Sequence, residues 1–533
     1  MAEITADSDG WFAINLDAIE LKGLRMMTKF SNATKLAAAL LLTVACVTAR
    51  NADADENAVD AKAAKAGGKV IDIGSNRELF VDKYLIDNLD GARMALHHPR
   101  NEGPVMKFDK PWEGVFCGHF SVIKDGDLYR MFYRGAAGDN PEADVVCMAE
   151  SKDGKTWTKP KLGLFDVNGT RENNVVHAND PRNSKNLTAY AVFLDTRPGV
   201  PKDERYKATA TAGTRKLYGL VSSDGIHWRQ VKKDPILTYG KFDSSNVAFW
   251  SDAEQCYICY FRVMTDKGFR WIARAKSQDF LNWGPREDLK AMHKCKPAPI
   301  EHIYWSQMHP YFRAPQIYIA PAARFMTGRQ VIGDAELKQL GLPQWYAKRT
   351  DVISGTSDTV LMTSRGGNVV DRTFMESFIR NDIGPNNWVS RSNYPAWHVV
   401  QTGPAEMSFY VTGNYAQPTI ELRRFSMRLD GFASIQAGYD GGRMLTRPFT
   451  FKGGRLAINF ATSTAGDVRV EIQDADGKPV PGFTLADSAG MIGNEIERVV
   501  SWKGKTDVGL LAGRPIRLLF ELKDADLFAI RFE

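Results

Sequence analysis

Ser151-Lys152-Asp153-Gly154-Lys155-Thr156-Trp157 returns as Ser222-Ser223-Asp224-Gly225-Ile226-His227-Trp228, and again, more weakly, as Ser277-Gln278-Asp279-Phe280-Leu281-Asn282-Trp283. Ser364-Arg365-Gly366-Gly367 is a fourth, degenerate copy. In this unit Asp-Gly marks a tight hairpin, because glycine accepts positive φ and Asp bonds nearby backbone. The Trp that follows folds back as an apolar plug between sheets. Strand candidates precede the turns at 129–133, 257–262, 271–275 and 359–363. A repeat of this kind, with four short strands per unit, predicts a β-propeller over 70–425. Five blades fit a span of about 350 residues, with six as the alternative.

Working outward, the repeats stop near Ser426. Alternating strand candidates at 455–460, 468–472, 498–502 and 516–522, with a turn at Asp476-Gly477 and a closing strand at 527–532, predict a β-sandwich over 426–533. The expected fold class is therefore all-β, a five-bladed β-propeller followed by a β-sandwich. Upstream, 27–49 carries Lys29 and Lys35 before a short apolar run, with cleavage expected after Ala49, as in a secretory signal peptide. Leu42-Thr43-Val44-Ala45-Cys46 also resembles a lipoprotein box, so lipid attachment at Cys46 is the alternative to free release. The acidic stretch 1–26 reads as an extension ahead of a true start at Met26 or Met27, and 50–69 as a linker. These features predict an exported protein, periplasmic or extracellular, with no integral membrane span.

The 533 residues carry a net charge of +6 with basic residues scattered, which argues against nucleic acid as a partner. Outside the leader five cysteines remain, an odd number that is no disulfide framework. Cys256 and Cys259 lie in an apolar strand at an odd spacing, so their thiols point to opposite faces and no metal site is expected. Nucleotide loops, zinc-protease helices and nucleophile elbows do not occur, and no cofactor is expected.

Four phrases carry a family resemblance: Glu78-Leu79-Phe80-Val81-Asp82-Lys83-Tyr84-Leu85-Ile86, Lys110-Pro111-Trp112-Glu113-Gly114, Asp125-Gly126-Asp127-Leu128-Tyr129-Arg130-Met131 and Asp371-Arg372-Thr373-Phe374-Met375-Glu376. The chain resembles exported glycoside hydrolase family 32-like proteins, within the five-bladed propeller group of families 32, 43 and 68. That resemblance implies hydrolysis of a poly- or oligosaccharide by inward-facing acids, since an oxocarbenium-like transition state needs a carboxylate beside the sugar and a proton donor at the leaving oxygen. Asp243, in Lys241-Phe242-Asp243-Ser244-Ser245-Asn246, resembles the blade-two stabiliser. His119 stands where the blade-one Asp is usual, with Glu113 as a replacement carboxylate. Arg313 stands at the acid position, with Glu301 and Glu376 as replacements. Catalytic candidates are thus Asp243, Glu376, Glu301 and Glu113. Substrate-binding candidates are His119, Arg313, Trp305, Tyr304 and Arg372, with Trp397 a further aromatic face. Arginine on the axis would suit a carboxylate or sulfate, so the expected carbohydrate partner extends to anionic sugars. Departures at His119 and Arg313 keep a non-catalytic carbohydrate-binding propeller as the alternative function.

Overall fold

The computed structural model describes residues 70–136, 144–179, 186–349 and 353–533, and ahead of them one antiparallel strand pair, Glu3–Ala6 with Phe12–Asn15. Beyond that pair, the expectations for 1–26, the signal peptide, Cys46 and the linker lie outside the described residues. From Val70 onward the regular structure of the described residues is almost all strand, with two short helices at Asp334–Gln339 and Gln344–Ala347. Among the described residues no helix is long and apolar enough to cross a membrane.

Five sheets follow one another as the blades of a propeller. The first runs Gly118–Asp125, Leu128–Gly135, Val145–Ser151, Val175–Ala178. The second runs Thr188–Leu194 to Arg229–Gln230, and the third Val247–Ser251 to Glu287–Asp288. The fourth is built on Ala314–Met326 and Thr356–Ser364, with His302–Trp305 and His309–Tyr311 on its inner side. The fifth contains Val400–Gln401, Glu406–Gly413 and Glu421–Arg428. Its outer strand is Arg100–Lys107, supplied from the other end of the propeller sequence and pairing Met106 with Leu422. The innermost strands touch in sequence around the axis: Gly118–Asp125, Thr188–Leu194, Val247–Ser251, then His309–Tyr311. His309 Nε2 accepts from Val399 N at 3.2 Å, and Val400–Gln401 returns to Gly118–Asp125.

The repeated turn works chiefly through its Asp and Trp. Asp153 Oδ1 accepts from Lys155 N and Thr156 N at 2.7 and 2.8 Å, while Ser151 Oγ accepts from Gly154 N at 2.9 Å. Asp224 and Asp279 repeat the pattern. The turn is therefore a side-chain-capped loop leading to the outer edge of the blade, broader than the expected two-residue hairpin. Gly154 has φ +70°, and a Cβ there would lie 2.7 Å from Thr402 of the fifth blade. Trp157 packs edge-on against Tyr410 of the fifth blade, and Trp228 against Phe132 of the first. The indoles are plugs between neighbouring blades, as their apolar surface requires. Ser364 keeps the turn without a plug, and Arg365 instead pairs with Glu78 and Asp82.

The propeller boundary differs from the expected 70–425. Residues 71–96 pair away from the blades: Ile71–Gly74 lies parallel to Phe449–Phe451, and Ala92–Leu96 pairs with Ala433–Ala437. The reason is apolar. Ile71, Ile73, Phe80 and Leu85 complete a core with Met444, Phe460, Val470 and Phe520. Two pairs of the expected C-terminal strands are each one long strand. Leu456–Asp474 and Ile516–Phe532 pair along most of their length, interrupted between Thr462 and Asp467, in a ten-stranded sheet. Between this unit and the propeller, fully buried Asp430 accepts from Arg313 Nε at 3.0 Å, Tyr311 Oη at 2.9 Å and Asn459 Nδ2 at 3.0 Å.

Two stability predictions follow from these buried groups. Removing one partner of a buried charged cluster leaves the others unpaired, so Asp430→Ala lowers unfolding free energy by about 3–5 kcal/mol in urea titration. The second concerns His309, whose Nδ1 donates to Gln307 O at 2.9 Å while Nε2 accepts from Val399 N. That pattern fixes a neutral ring, and burial holds its pKa down to about 4. A proton is therefore taken up by the unfolded chain first. His309 costs nothing at neutral pH and removes up to roughly 3 kcal/mol as pH falls from about 6.5 to 4. His309→Gln is expected to flatten that part of the stability–pH curve.

Candidate functional site

Where the inner strands of the first, third and fourth blades meet the lead-in to the fifth, a small pocket opens. It is lined by Gly118, His119, Arg134, Asp243, Tyr304, Trp305, Arg391, Tyr394, Thr412 and Tyr415. Its volume is about 80 Å³.

Local chain geometry places each group. The ladder of the first blade is irregular between Gly118 and Ser121, and His119 has φ +56°. An irregularity of this kind re-aims a side chain, here turning the imidazole toward the axis. It lies 4.8 Å from the Trp305 ring. Asp243 is fixed by its neighbours. Phe242 is fully buried, and Asn246 Nδ2 donates to Phe242 O and Ser244 O at 2.9 and 2.8 Å. Ser244 Oγ donates to Tyr304 O at 2.9 Å, tying this turn to the fourth blade. Asp243 alone in the turn faces outward, with a half-exposed side chain that accepts from Arg262 Nη2. Arg391 enters the pocket from a segment in which it and Asn393 have φ +66° and +67°.

The pocket is electropositive. Guanidiniums of Arg262, Arg270 and Arg391 lie 5.1, 4.9 and 5.4 Å from the centre of the Tyr304 ring. Burial would raise the Tyr304 phenol, yet Arg391, Arg262 and Arg270 outweigh it and the net shift is downward. His119 is held well below its ordinary value by burial, reinforced by Arg134, Arg391 and Arg262, and is neutral. Arg134 lies 3.8 Å from Asp144 and donates to Phe116 O at 2.9 Å. Several buried polar atoms have no hydrogen-bond partner: His119 Nδ1, Arg134 Nε, Arg262 Nε and Nη1, Trp305 Nε1, Arg391 Nε and the Thr412 hydroxyl. Trp345, 40% exposed, packs on Phe116, which in turn touches Tyr415 of the lining.

The structure brings together four of the expected residues: Asp243, His119, Tyr304 and Trp305. The others lie elsewhere. Glu113 is fully buried, accepting from Tyr133 Oη at 2.7 Å and pairing with Lys159 at 2.8 Å. Glu301 is clamped by Arg324 and Arg372 at 3.1 and 3.0 Å, which also accounts for Arg372. Arg313 faces Asp430 and Glu497 at the boundary with the C-terminal unit. Glu376 is exposed at a bend just ahead of the strand Ser377–Ile379, flanked by the buried Phe374 and Phe378. Trp397 is wholly buried, donates to Met308 O at 3.0 Å and offers no open face. Arg134, Arg262 and Arg391 were not expected. Arg262 carried a signal in its sequence, as the one charge in the apolar strand Cys256–Met264.

No family model matches the chain. A 117-residue stretch is 30% identical to an uncharacterized protein of Mycobacterium tuberculosis (strain ATCC 25618 / H37Rv), covering 21% of this chain and 33% of that protein. The chain therefore spans about a third of the length of the curated relatives it matches. Among solved structures it is similar to a beta-1,2-mannobiose phosphorylase from Listeria innocua, at 10% identity and TM-score 0.41, covering 64% of this chain and 99% of that one. It is similar at 11% identity and TM-score 0.40 to an N-acetylgalactosamine deacetylase from F. plautii, covering 64% and 96%. A third is the catalytic domain of the Coprinopsis cinerea GH62 alpha-L-arabinofuranosidase, at 11% identity and TM-score 0.36, covering 62% and 97%.

The environment of Glu113 gives a direct prediction. Glu113→Gln leaves Lys159 facing a neutral amide in the first blade and costs about 3 kcal/mol in chemical denaturation. A structural role predicts this loss of stability, whereas a catalytic acid would lose turnover with its stability intact.

Proposed function

We propose that this chain is a glycan-recognising propeller protein whose binding site is the pocket around His119, Asp243 and Trp305. One observation carries the choice of recognition over two-carboxylate hydrolysis: Asp243 is the single carboxylate among the described residues lining the pocket. Glycosidases of the usual kind set two carboxyl groups about 5–10 Å apart across the bond they cleave. Here Asp243 is ion-paired with Arg262, and Glu113 and Glu301 are held in ion pairs away from the lining. Trp345, exposed beside the lining through Phe116, supplies a flat apolar face on which a sugar ring can pack.

Tyr304 favours a second, hydrolytic reading. Its phenol is pulled down by three guanidiniums, and a tyrosine serves as nucleophile in some glycosidases. Export, periplasmic or extracellular, remains part of the proposal and rests on the 27–49 sequence.

The test is reducing-end release beside binding, on one panel of glycans, with wild type, Asp243→Asn and Tyr304→Phe. Binding without release is expected, weakened about tenfold in Asp243→Asn through loss of one charge-assisted contact. Release abolished by Tyr304→Phe would replace recognition with hydrolysis.

A further inference from the structure

Resting on the reading of the pocket as a glycan site, we infer that it takes the anionic group of an acidic sugar, a carboxylate or a sulfate ester. Four guanidiniums, of Arg134, Arg262, Arg270 and Arg391, surround the pocket or its Tyr304 wall. Against them stand two carboxylates, Asp243 and Asp144. Arg391 has no ion pair among the described residues. Arg262 is 5% exposed, and only one of its three nitrogens is engaged by Asp243. Like charges crowded in a poorly hydrated space repel, and buried donors without acceptors are costly. A protein keeps such a cluster where an acceptor arrives from outside.

The donors suit an oxyanion. Arg134, Arg391, Trp305 and Thr412 stand in the lining and bring donor-bearing side chains to it, with Arg262 held behind through Asp243. Planar guanidinium forks match carboxylate and sulfate oxygens two at a time. Size agrees. The pocket holds about 80 Å³, whereas a cavity of roughly 150 Å³ is known to admit a benzene ring. A six-membered sugar ring stays outside while one substituent enters. Left-handed backbone at His119 and Arg391, both in the lining, is the kind of local strain that accompanies a shaped site.

The experiment follows indole fluorescence in the full chain during titration with methyl glucuronide, methyl glucoside, glucose 6-sulfate, glucose and sodium sulfate. At least one acidic sugar is expected to bind about tenfold or more tightly than its neutral counterpart, with affinity falling as sodium chloride rises. Comparing the glucuronide and sulfate arms identifies which anion is preferred. Arg391→Gln should remove the preference, and Arg391→Lys, which keeps charge but not the fork, should restore part of it. Equal binding of acidic and neutral sugars, or an unchanged preference in Arg391→Gln, overturns the inference and leaves the glycan reading in place. Sulfate binding with no sugar bound overturns the glycan reading instead. No response to any ligand overturns both.

Discussion

Closure of the ring by Arg100–Lys107 is the constraint on which the pocket depends. This strand pairs with Glu421–Arg428, more than three hundred residues later in the chain. It covers an edge that would otherwise present unpaired backbone groups. The same segment then runs directly into the first inner strand, so one ladder fixes both ends of the propeller. Pairing over so long a separation carries a loop-closure cost, which the apolar surfaces buried between blades must offset. Trp157 against Tyr410 and Trp228 against Phe132 are two such contacts. With the ring closed, residues from four blades reach one small volume. Without it, His119 and Arg134 would not meet Thr412 and Tyr415.

That convergence explains why the pocket is charged while its surroundings are neutralised. Most arginines of the propeller are matched locally, as Arg324 is by Asp358 and Arg274 by Glu254 and Glu287. Around Tyr304 the matching stops. The unpaired donors there lie among rings, with Trp305 and Tyr394 4.8 Å apart. A low-dielectric wall strengthens any charge interaction made inside it. Selectivity for an anionic group is the physical consequence.

Much of the fold could be read before any coordinates. The Ser-x-Asp turn and its Trp are local chemistry, repeated often enough to reveal the blades. The crossing of 71–96 into the C-terminal sheet could not be read, because Ile71–Gly74 finds its partner near Phe449, and strand pairing across such a distance leaves no periodic mark. At the site, Asp243 and His119 were legible through the family resemblance of their strand-start phrases, and Tyr304 and Trp305 as an aromatic run following Glu301. Glu113, Glu301 and Arg313 share that chemistry on paper. Only packing shows that Lys159, Arg324 and Asp430 already hold them. Arg134 looks like an ordinary blade position, whereas Arg262 stood out as the one charge in an apolar strand without showing where it pointed. Their significance arises from their convergence on one pocket with only Asp243 and Asp144 beside them, a property of three-dimensional arrangement.

The most direct test of the account is a crystal structure of the protein with an acidic disaccharide bound. The account predicts the anionic group inside the pocket, hydrogen-bonded to Arg391 and at least one of Arg134 and Arg262, with the ring outside near Tyr415. A ligand seated instead in the separate cavity of about 420 Å³ lined by Phe193, Trp250 and Phe312 would contradict it.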